Sequence, residues 1–362
     1  MKLLHRPPGA VPRALSRART DRVLSAFGFA AETLWLRRVT ASDYRAKRKA
    51  APLDHVLHLQ LIGRTVVAHD EDVVQLTFAA PDGSPLPLWQ PGCHLDVHLP
   101  SGRRRQYSLC GDPQDNHNYR IAVRKIPDGG GGSLEMHALP LGATVELRGP
   151  KNGFPFVPRD RMLFVAGGIG ITPILPMVRA AQRLGIDWQF VYCGRTLQTI
   201  PFLGEIESWD QARVMIRLDE EHGTPSAAGL LAVAPEADAV YVCGPPPMID
   251  MLRAATVDST VSFHAERFSA PAVRNGRPFE VQLASTGEVL AVPADASALA
   301  VIRQRQPDVA YSCQQGFCGS CKVRVLSGTP EHLDTRLTDD ERSDSMLICV
   351  SRAQTARLVL DI

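Results

Sequence analysis

The spacing of apolar residues changes character along the chain. From His55 onward they alternate with polar positions in short runs: Val56-Leu-His-Leu-Gln-Leu-Ile, Val73-Val-Gln-Leu-Thr-Phe and Leu95-Asp-Val-His-Leu. A period of two turns one face of each run toward a core, and the turn residues Pro81-Asp-Gly-Ser and Pro100-Ser-Gly separate the runs. Residues 56–158 are therefore expected to form an antiparallel β-barrel. Over 159–270 the apolar segments Met162-Leu-Phe-Val-Ala, Trp188-Gln-Phe-Val-Tyr, Val214-Met-Ile-Arg-Leu and Ala239-Val-Tyr-Val alternate with helical stretches, which predicts an α/β domain around a parallel sheet. A linker carrying proline and glycine follows over 271–278. Residues 279–362 then open on a hairpin, Phe279 to Val292, turning at Ser285-Thr-Gly-Glu.

Residues 1–55 follow neither rhythm and are expected to be a basic, helical N-terminal extension. An apolar stretch from Val23 to Leu36 (Phe27, Phe29, Leu34, Trp35, Leu36) is flanked by arginines and is too short to cross a bilayer. As a helix it would rest on the chain's own body, on a partner or on a membrane interface. Residues 1–50 hold twelve Lys/Arg against three acids, a balance of +9, which leaves −7 for the rest of a chain whose formal net charge is +2. Such polarity can steer a partner. Nucleic acid is not expected, because no recognised binding fold accompanies the charge. The start resembles an organellar transit sequence only in part, since its basic character persists to Lys49. With neither a long apolar run nor a secretory signal, the expected location is cytoplasmic.

The 362 residues, enough for two or three domains, include eight cysteines. Cys313, Cys318 and Cys321 are spaced C-x4-C-x2-C, and Cys349 follows 28 positions after Cys321. That is the ligand spacing of a plant-type [2Fe–2S] cluster, in which each iron takes two thiolates. A zinc site would more usually show two short C-x2-C pairs, and a disulfide framework would be unusual in a chain this long.

Two further regions suggest nucleotide chemistry. Arg105-Gln106-Tyr107-Ser108 ends a barrel strand and offers a cation, an aromatic wall and a hydroxyl, the groups that a flavin needs. The run Gly129 to Gly132, with Ser133, leads into an expected helix and suggests a phosphate site, or else a flexible hairpin tip. Ala166-Gly167-Gly168-Ile169-Gly170-Ile171-Thr172-Pro173 joins a strand to a helix, with Thr172 expected at the cap, and lets a pyrophosphate approach the backbone. Its G-G-x-G pattern departs from the usual dinucleotide fingerprint. Cys243-Gly244-Pro245 marks a second strand-to-loop switch where α/β sheets bind ligands.

Together these segments, with His264-Ala-Glu-Arg-Phe268, Leu326-Ser-Gly and Cys349-Val-Ser-Arg, resemble the phthalate dioxygenase reductase family over residues 56–362. The resemblance implies a flavin β-barrel, an NAD domain and a ferredoxin-like β-grasp domain, in that order. It implies FMN contacts from Arg105, Gln106, Tyr107, Ser108, Val123 and Arg124, with the phosphate on Gly131, Gly132 and Ser133. It further implies NADH contacts from Gly167, Gly168, Gly170, Thr172, Pro173, Arg195, Cys243, Gly244 and Pro245. Cys313, Cys318, Cys321 and Cys349 would hold the [2Fe–2S] cluster. Ser108, Cys243 and Phe268 would form the catalytic group, Phe268 covering the flavin ring until the nicotinamide displaces it. FMN is expected over FAD, because no adenine platform is evident. NADH is expected over NADPH, although Arg195 could meet a 2′-phosphate. Two features depart from the family pattern: the N-terminal extension, and the lack of an arginine before Gly131, for which Arg105 and Arg124 would have to substitute.

The implied function is a reductase that passes electrons from NADH through FMN and the cluster to a terminal oxygenase, Rieske-type before haem-thiolate, the cofactors carrying the chemistry. An acidic set near the cluster (Glu331, Asp334, Asp339, Asp340, Glu341, Asp344) is the expected docking face, and a monomer is expected. A reading from another class is a redox sensor whose basic arm binds a membrane.

Overall fold

The structure, a computed structural model, describes residues 55–362 apart from Glu71, Asp128 and Gly129. The expected N-terminal helix and basic arm lie outside the described residues.

Strands β1 (Val56–Val66), β2 (Val73–Ala79), β3 (Cys93–His98), β4 (Arg104–Ser108), β5 (Tyr119–Arg124) and β6 (Thr144–Asn152) form one antiparallel sheet in the order β4-β3-β6-β1-β2-β5. A bridge between Leu109 and Ile121 joins its two edges into a barrel. The alternating residues Leu59 and Leu61, Leu76 and Phe78, and Leu95 and Val97 all point inward and are buried, which is what the period of two requires. The short helix Gly132–Ala138 adds Met136 to this core.

Strands β7 (Arg161–Gly167), β8 (Asp187–Gly194), β9 (Val214–Leu218), β10 (Ala239–Cys243) and β11 (Ser262–Glu266) form a fully parallel sheet in the order β11-β10-β7-β8-β9. From β7 the chain winds outward to β9 and then returns to the opposite side of β7. The carboxyl ends of β7 and β10 therefore flank the point where the winding reverses, and a crevice opens there. All five residues of β10 are buried, as in a strand covered on both faces.

The C-terminal domain is a mixed sheet, β13-β12-β18-β14-β16, built from β12 (Phe279–Leu283), β13 (Val289–Val292), β14 (Lys322–Ser327), β16 (Ser345–Leu347) and β18 (Arg357–Leu360). Strands β15 (Pro330–Glu331) and β17 (Arg352–Ala353) pair separately. The helix Ala298–Arg305 packs Leu299 and Ile302 into the core of this domain.

One apolar core merges barrel residues Val73, Cys110, Ala122 and Phe154 with the parallel sheet. Tyr241 on β10 fastens the join. Its ring lies 5.5 Å from Phe154 and 5.8 Å from Phe156. Its hydroxyl donates to the Pro155 carbonyl at 3.1 Å and accepts from the Val157 amide at 2.9 Å. The C-terminal core, by contrast, draws all its members from residues 279 onward.

Candidate functional site

Strand β4 brings Arg105, Gln106, Tyr107 and Ser108 to the wall of a cavity of about 430 Å3. Across it stand Glu266, Arg267 and Phe268 from the end of the parallel sheet, and Arg303, Tyr311, Ser312, Cys313, Gln315 and Phe317 from the C-terminal domain. Three domains thus enclose one chamber. Gln106 is aimed by its Nε2–H bond to Asp96 Oδ1 at 2.7 Å. The Ser108 hydroxyl donates to Glu266 Oε2 at 3.2 Å. Burial pushes the half-buried Glu266 carboxyl up to about 7, while the Ser108 bond opposes that rise. A carboxyl that titrates near neutrality therefore sits against the chamber.

A second cavity, of about 600 Å3, lies at the reversal point of the parallel sheet. Gly167, Gly168, Gly170, Arg195, Gly244 and Pro245 line it, and Asp219 joins them. The two glycine loops here touch backbone to backbone: a methyl group at Gly170 would lie 2.2 Å from the Cys243 carbonyl oxygen. Only glycine permits that approach. Arg124, Ile126, Ile169 and Phe268 line both cavities. Phe268, 45% exposed, is thus the aromatic partition between them.

The three cysteines of the loop 313–321 and Cys349, which follows β16, come together as two pairs. Cys313 and Cys318 are in hydrogen-bonding contact, as are Cys321 and Cys349. Within each pair the neighbouring sulfur holds one thiol, Cys318 or Cys321, below its ordinary value and raises the other. Among the described residues no group of three or more His, Cys, Asp or Glu converges on a single metal position. Two thiol pairs suit a cluster in which each of two irons takes two thiolates better than they suit one tetrahedral ion. Gly316 makes the loop possible, with φ at 80° and room for no side chain: an added methyl would meet Val350 at 2.7 Å. The Gln315 amide bonds back to Cys313 Sγ at 3.3 Å, and the Ser320 amide to Cys318 Sγ at 3.5 Å.

Several expectations need correction. Val123 is not on a cavity wall: its side chain fills the barrel core, and its neighbours Ala122 and Arg124 face the chamber. Gly130, rather than Gly131 or Gly132, reaches the wall, because Arg105 covers Gly132 and Arg103 covers Gly131. Ser133 does line the chamber, but its hydroxyl is engaged with the backbone of Ile126. Thr172 is not the helix cap: it lies inside the helix Ile171–Leu184, with Gly170 at the cap, and bonds to the Ile169 carbonyl while lining the first cavity. Pro173 is buried in that helix and lines neither cavity. Cys243 is wholly buried beneath the crevice, where desolvation raises its thiol. Asp334 leaves the acidic set, since it is buried and accepts from the amides of Arg336 and Leu337.

Among the wall residues that sequence reasoning missed, four carry charge or a hydroxyl that bears on ligand binding. Glu266 stood unassigned inside a quoted motif, and Asp219 closes an apolar strand. Arg303 and Tyr311 carry no local signal, because their role depends on another domain.

Family profiles match three consecutive stretches: an oxidoreductase FAD-binding domain over 58–156, an oxidoreductase NAD-binding domain over 164–254, and a 2Fe-2S iron-sulfur cluster binding domain over 281–354. The chain is 36% identical over 319 residues to phthalate dioxygenase reductase of Burkholderia cepacia, covering 85% of this chain and 98% of that protein. It is 39% identical over 319 residues to the vanillate O-demethylase oxidoreductase of Pseudomonas putida, covering 83% and 100%. Among solved structures, a phthalate dioxygenase reductase described as a modular structure for electron transfer from pyridine nucleotides to [2Fe–2S] aligns with a TM-score of 0.61 at 37% identity, covering 85% and 98%. An intact type IV self-sufficient cytochrome P450 monooxygenase aligns with a TM-score of 0.61 at 34% identity, covering 85% of this chain but 41% of that one. The barrel is therefore a flavin-binding domain, the parallel sheet an NAD-binding domain and the C-terminal sheet a [2Fe–2S] domain.

Proposed function

Because the chain belongs to the phthalate dioxygenase reductase family of flavin and iron–sulfur oxidoreductases, we propose that it carries electrons from NADH through FMN and a [2Fe–2S] cluster to a terminal oxygenase. The observation that carries this reading is the shared chamber. The flavin-type strand Arg105–Ser108 and the cysteine loop that includes Cys313 line one cavity, and among the described residues Phe268 is the aromatic side chain shared by it and the crevice of the parallel sheet. Bound there, a flavin supplies the conversion from paired to single electrons, and a cluster supplies a one-electron carrier.

The residues divide the work by position. Tyr107 and Ser108 are placed to fix a planar ring, Ser108 holding Glu266 beside it. Phe268, which lines both cavities, would cover a bound ring and would have to move aside to admit a nicotinamide. Gly167, Gly168, Gly170 and Gly244 clear the backbone for a pyrophosphate, with Arg195 at the sugar end. Asp219, at the same end, supports NADH over NADPH, since a carboxylate favours a ribose hydroxyl and opposes a 2′-phosphate. Cys243 acts from below, shaping the floor. Cys313, Cys318, Cys321 and Cys349 hold the cluster, and the backbone amides of Gln315 and Ser320 neutralise part of its charge.

The acceptor is read as a Rieske-type aromatic oxygenase or demethylase. In support, relatives matched over nearly their whole length bear names of such oxygenase systems, while the P450 relative is matched over 41% of its length. Docking is placed beside Phe317, which is 37% exposed, and near the exposed acids Glu331, Asp339 and Asp340. No disulfide joins any of the eight cysteines, in keeping with a reducing, cytoplasmic setting.

The test is a pair of acceptors. Holo-protein with NADH should reduce both ferricyanide and cytochrome c, and Cys321→Ser should lose cytochrome c reduction while keeping ferricyanide reduction. A cluster-loaded, flavin-loaded protein that reduces neither would overturn the reading.

A further inference from the structure

Two arginines from different domains meet in the flavin chamber without a counter-ion. Arg105, on barrel strand β4, donates through Nη2 to the Tyr311 hydroxyl at 2.7 Å and to the Gly130 carbonyl at 3.0 Å. Its guanidinium stands 4.6 Å from the centre of the Tyr311 ring. Arg303, on the helix Ala298–Arg305 of the [2Fe–2S] domain, stands 4.1 Å from that same ring centre. It presses on the glycine loop of the barrel as well, since a methyl group at Gly130 would lie 2.4 Å from Arg303 Nη2.

Neither arginine has a carboxylate partner among the described residues, although Arg103 next to them pairs with Glu135. Arg303 Nε is buried with no hydrogen-bond acceptor, and so is the Ser312 hydroxyl on the same wall. Two like charges gathered on one aromatic ring, with an orphaned guanidinium nitrogen between domains, describe a site short of an anion. A guanidinium's planar fork suits a phosphate. The glycine loop itself lacks the arginine expected before Gly131, and Arg303 brings a cation to that loop from another domain.

We propose that the flavin phosphate is clamped across the domain boundary, by Arg105 from the barrel and Arg303 from the [2Fe–2S] domain, so that loading FMN holds the cluster domain docked against the flavin chamber. This rests on the FMN reading given above. By linkage, docking raises affinity for FMN and FMN raises the docked population by the same factor. Riboflavin, which has the ring but no phosphate, gains nothing from the clamp.

The experiment uses the full chain with its cluster intact, stripped of flavin and titrated with FMN and with riboflavin by fluorescence quenching. Wild type should bind FMN much more tightly than riboflavin. Arg303→Gln should weaken FMN by about tenfold to a hundredfold, the range of a charge-assisted contact, and leave riboflavin unchanged. Arg303→Lys should recover part of the loss. In parallel, FMN but not riboflavin should protect the 271–278 linker from limited proteolysis, and Arg303→Gln should abolish that protection. The visible spectrum of the cluster confirms that the variants are folded. If wild type prefers FMN but Arg303→Gln binds it equally well, or if both flavins protect the linker alike, the clamp is wrong and the FMN reading stands. If wild type binds riboflavin as tightly as FMN, or takes FAD instead, the FMN reading falls and the clamp with it.

Discussion

The flavin barrel meets its two neighbours across seams of opposite character. Toward the NAD-binding sheet the join is a continuous apolar core, reinforced by Tyr241 and by Arg179, which binds Glu205 at 2.6 Å and the Cys110 and Gly111 carbonyls at 2.8 and 2.7 Å. Toward the [2Fe–2S] domain the contacts are polar or edge-on: Arg105 to Tyr311, and His94 to Phe317 with ring centres 6.3 Å apart. An apolar seam is stable whatever is bound, whereas a polar one exchanges readily with water and depends on what fills it. One join is therefore fixed, which suits a pair of sites that must keep nicotinamide and flavin in register. The other, among the described residues, shares no apolar core with the barrel, which suits a domain that must show its cluster first to the flavin and then to an acceptor.

The comparison would break first at Tyr241. Truncation to alanine removes a ring that three phenylalanines touch and leaves two backbone groups unpaired. It should cost about 3–5 kcal/mol in urea unfolding, and barrel and NAD sheet should lose structure together. If the flavin signal and far-ultraviolet signal then unfold at separate midpoints, the two domains are not joined as described.

The contrast also shows what the chain discloses before folding. The fixed seam was hidden: Tyr241 reads as an ordinary strand residue, and only the packing of Phe154 and Phe156 from the barrel's exit segment gives it a second role. The period-two runs, the βαβ order and the cysteine spacing were legible because local geometry dictates them. Val123, Gly131 and Gly132 were misplaced because a motif gives positions along a strand or loop but not which side faces the ligand. Arg303 and Tyr311 were invisible because their meaning comes from a domain some two hundred residues away, Tyr311 lying 206 positions from Arg105. Asp334 looked like surface charge and proved to be a buried acceptor for a loop.

A smaller effect should come from Glu266, where the fixed seam meets the chamber. Its carboxyl is raised to about 7 in the fold from an ordinary value of 4.5. Below 4.5 both folded and unfolded forms are protonated and the residue is neutral to stability. As pH rises past 4.5 the unfolded chain releases its proton first, so folding loses stability until about pH 7 and is level above it. The loss amounts to up to about 3 kcal/mol, and Glu266→Gln should remove it. Urea midpoints of wild type and variant should coincide at pH 4 and favour the variant at pH 8. A wild-type curve parallel to the variant's across that range would place the carboxylate in water instead.

Arg179 should matter less, because part of its work is an ion pair with Glu205 that solvent still reaches. Replacement by methionine keeps the packing of the stem but strands the Cys110 and Gly111 carbonyls and Glu205, at a cost of about 1–2 kcal/mol in denaturant. The change should be equally visible with and without bound flavin.

The gentlest test addresses the separable seam. Phe317→Ala removes one edge-on aromatic contact to His94 from a side chain that is already 37% exposed. Global stability should fall by no more than about 1 kcal/mol, within the range of a single aromatic pair. Electron arrival should respond more than stability does, because Phe317 sits in the cysteine loop and also lines the flavin chamber. After rapid mixing with NADH, cluster bleaching should slow several-fold while flavin bleaching keeps its wild-type rate. The opposite result, a large loss of stability with unchanged cluster bleaching, would mean that this seam is as fixed as the one at Tyr241, and that the cluster reaches its acceptor without the domain leaving the flavin.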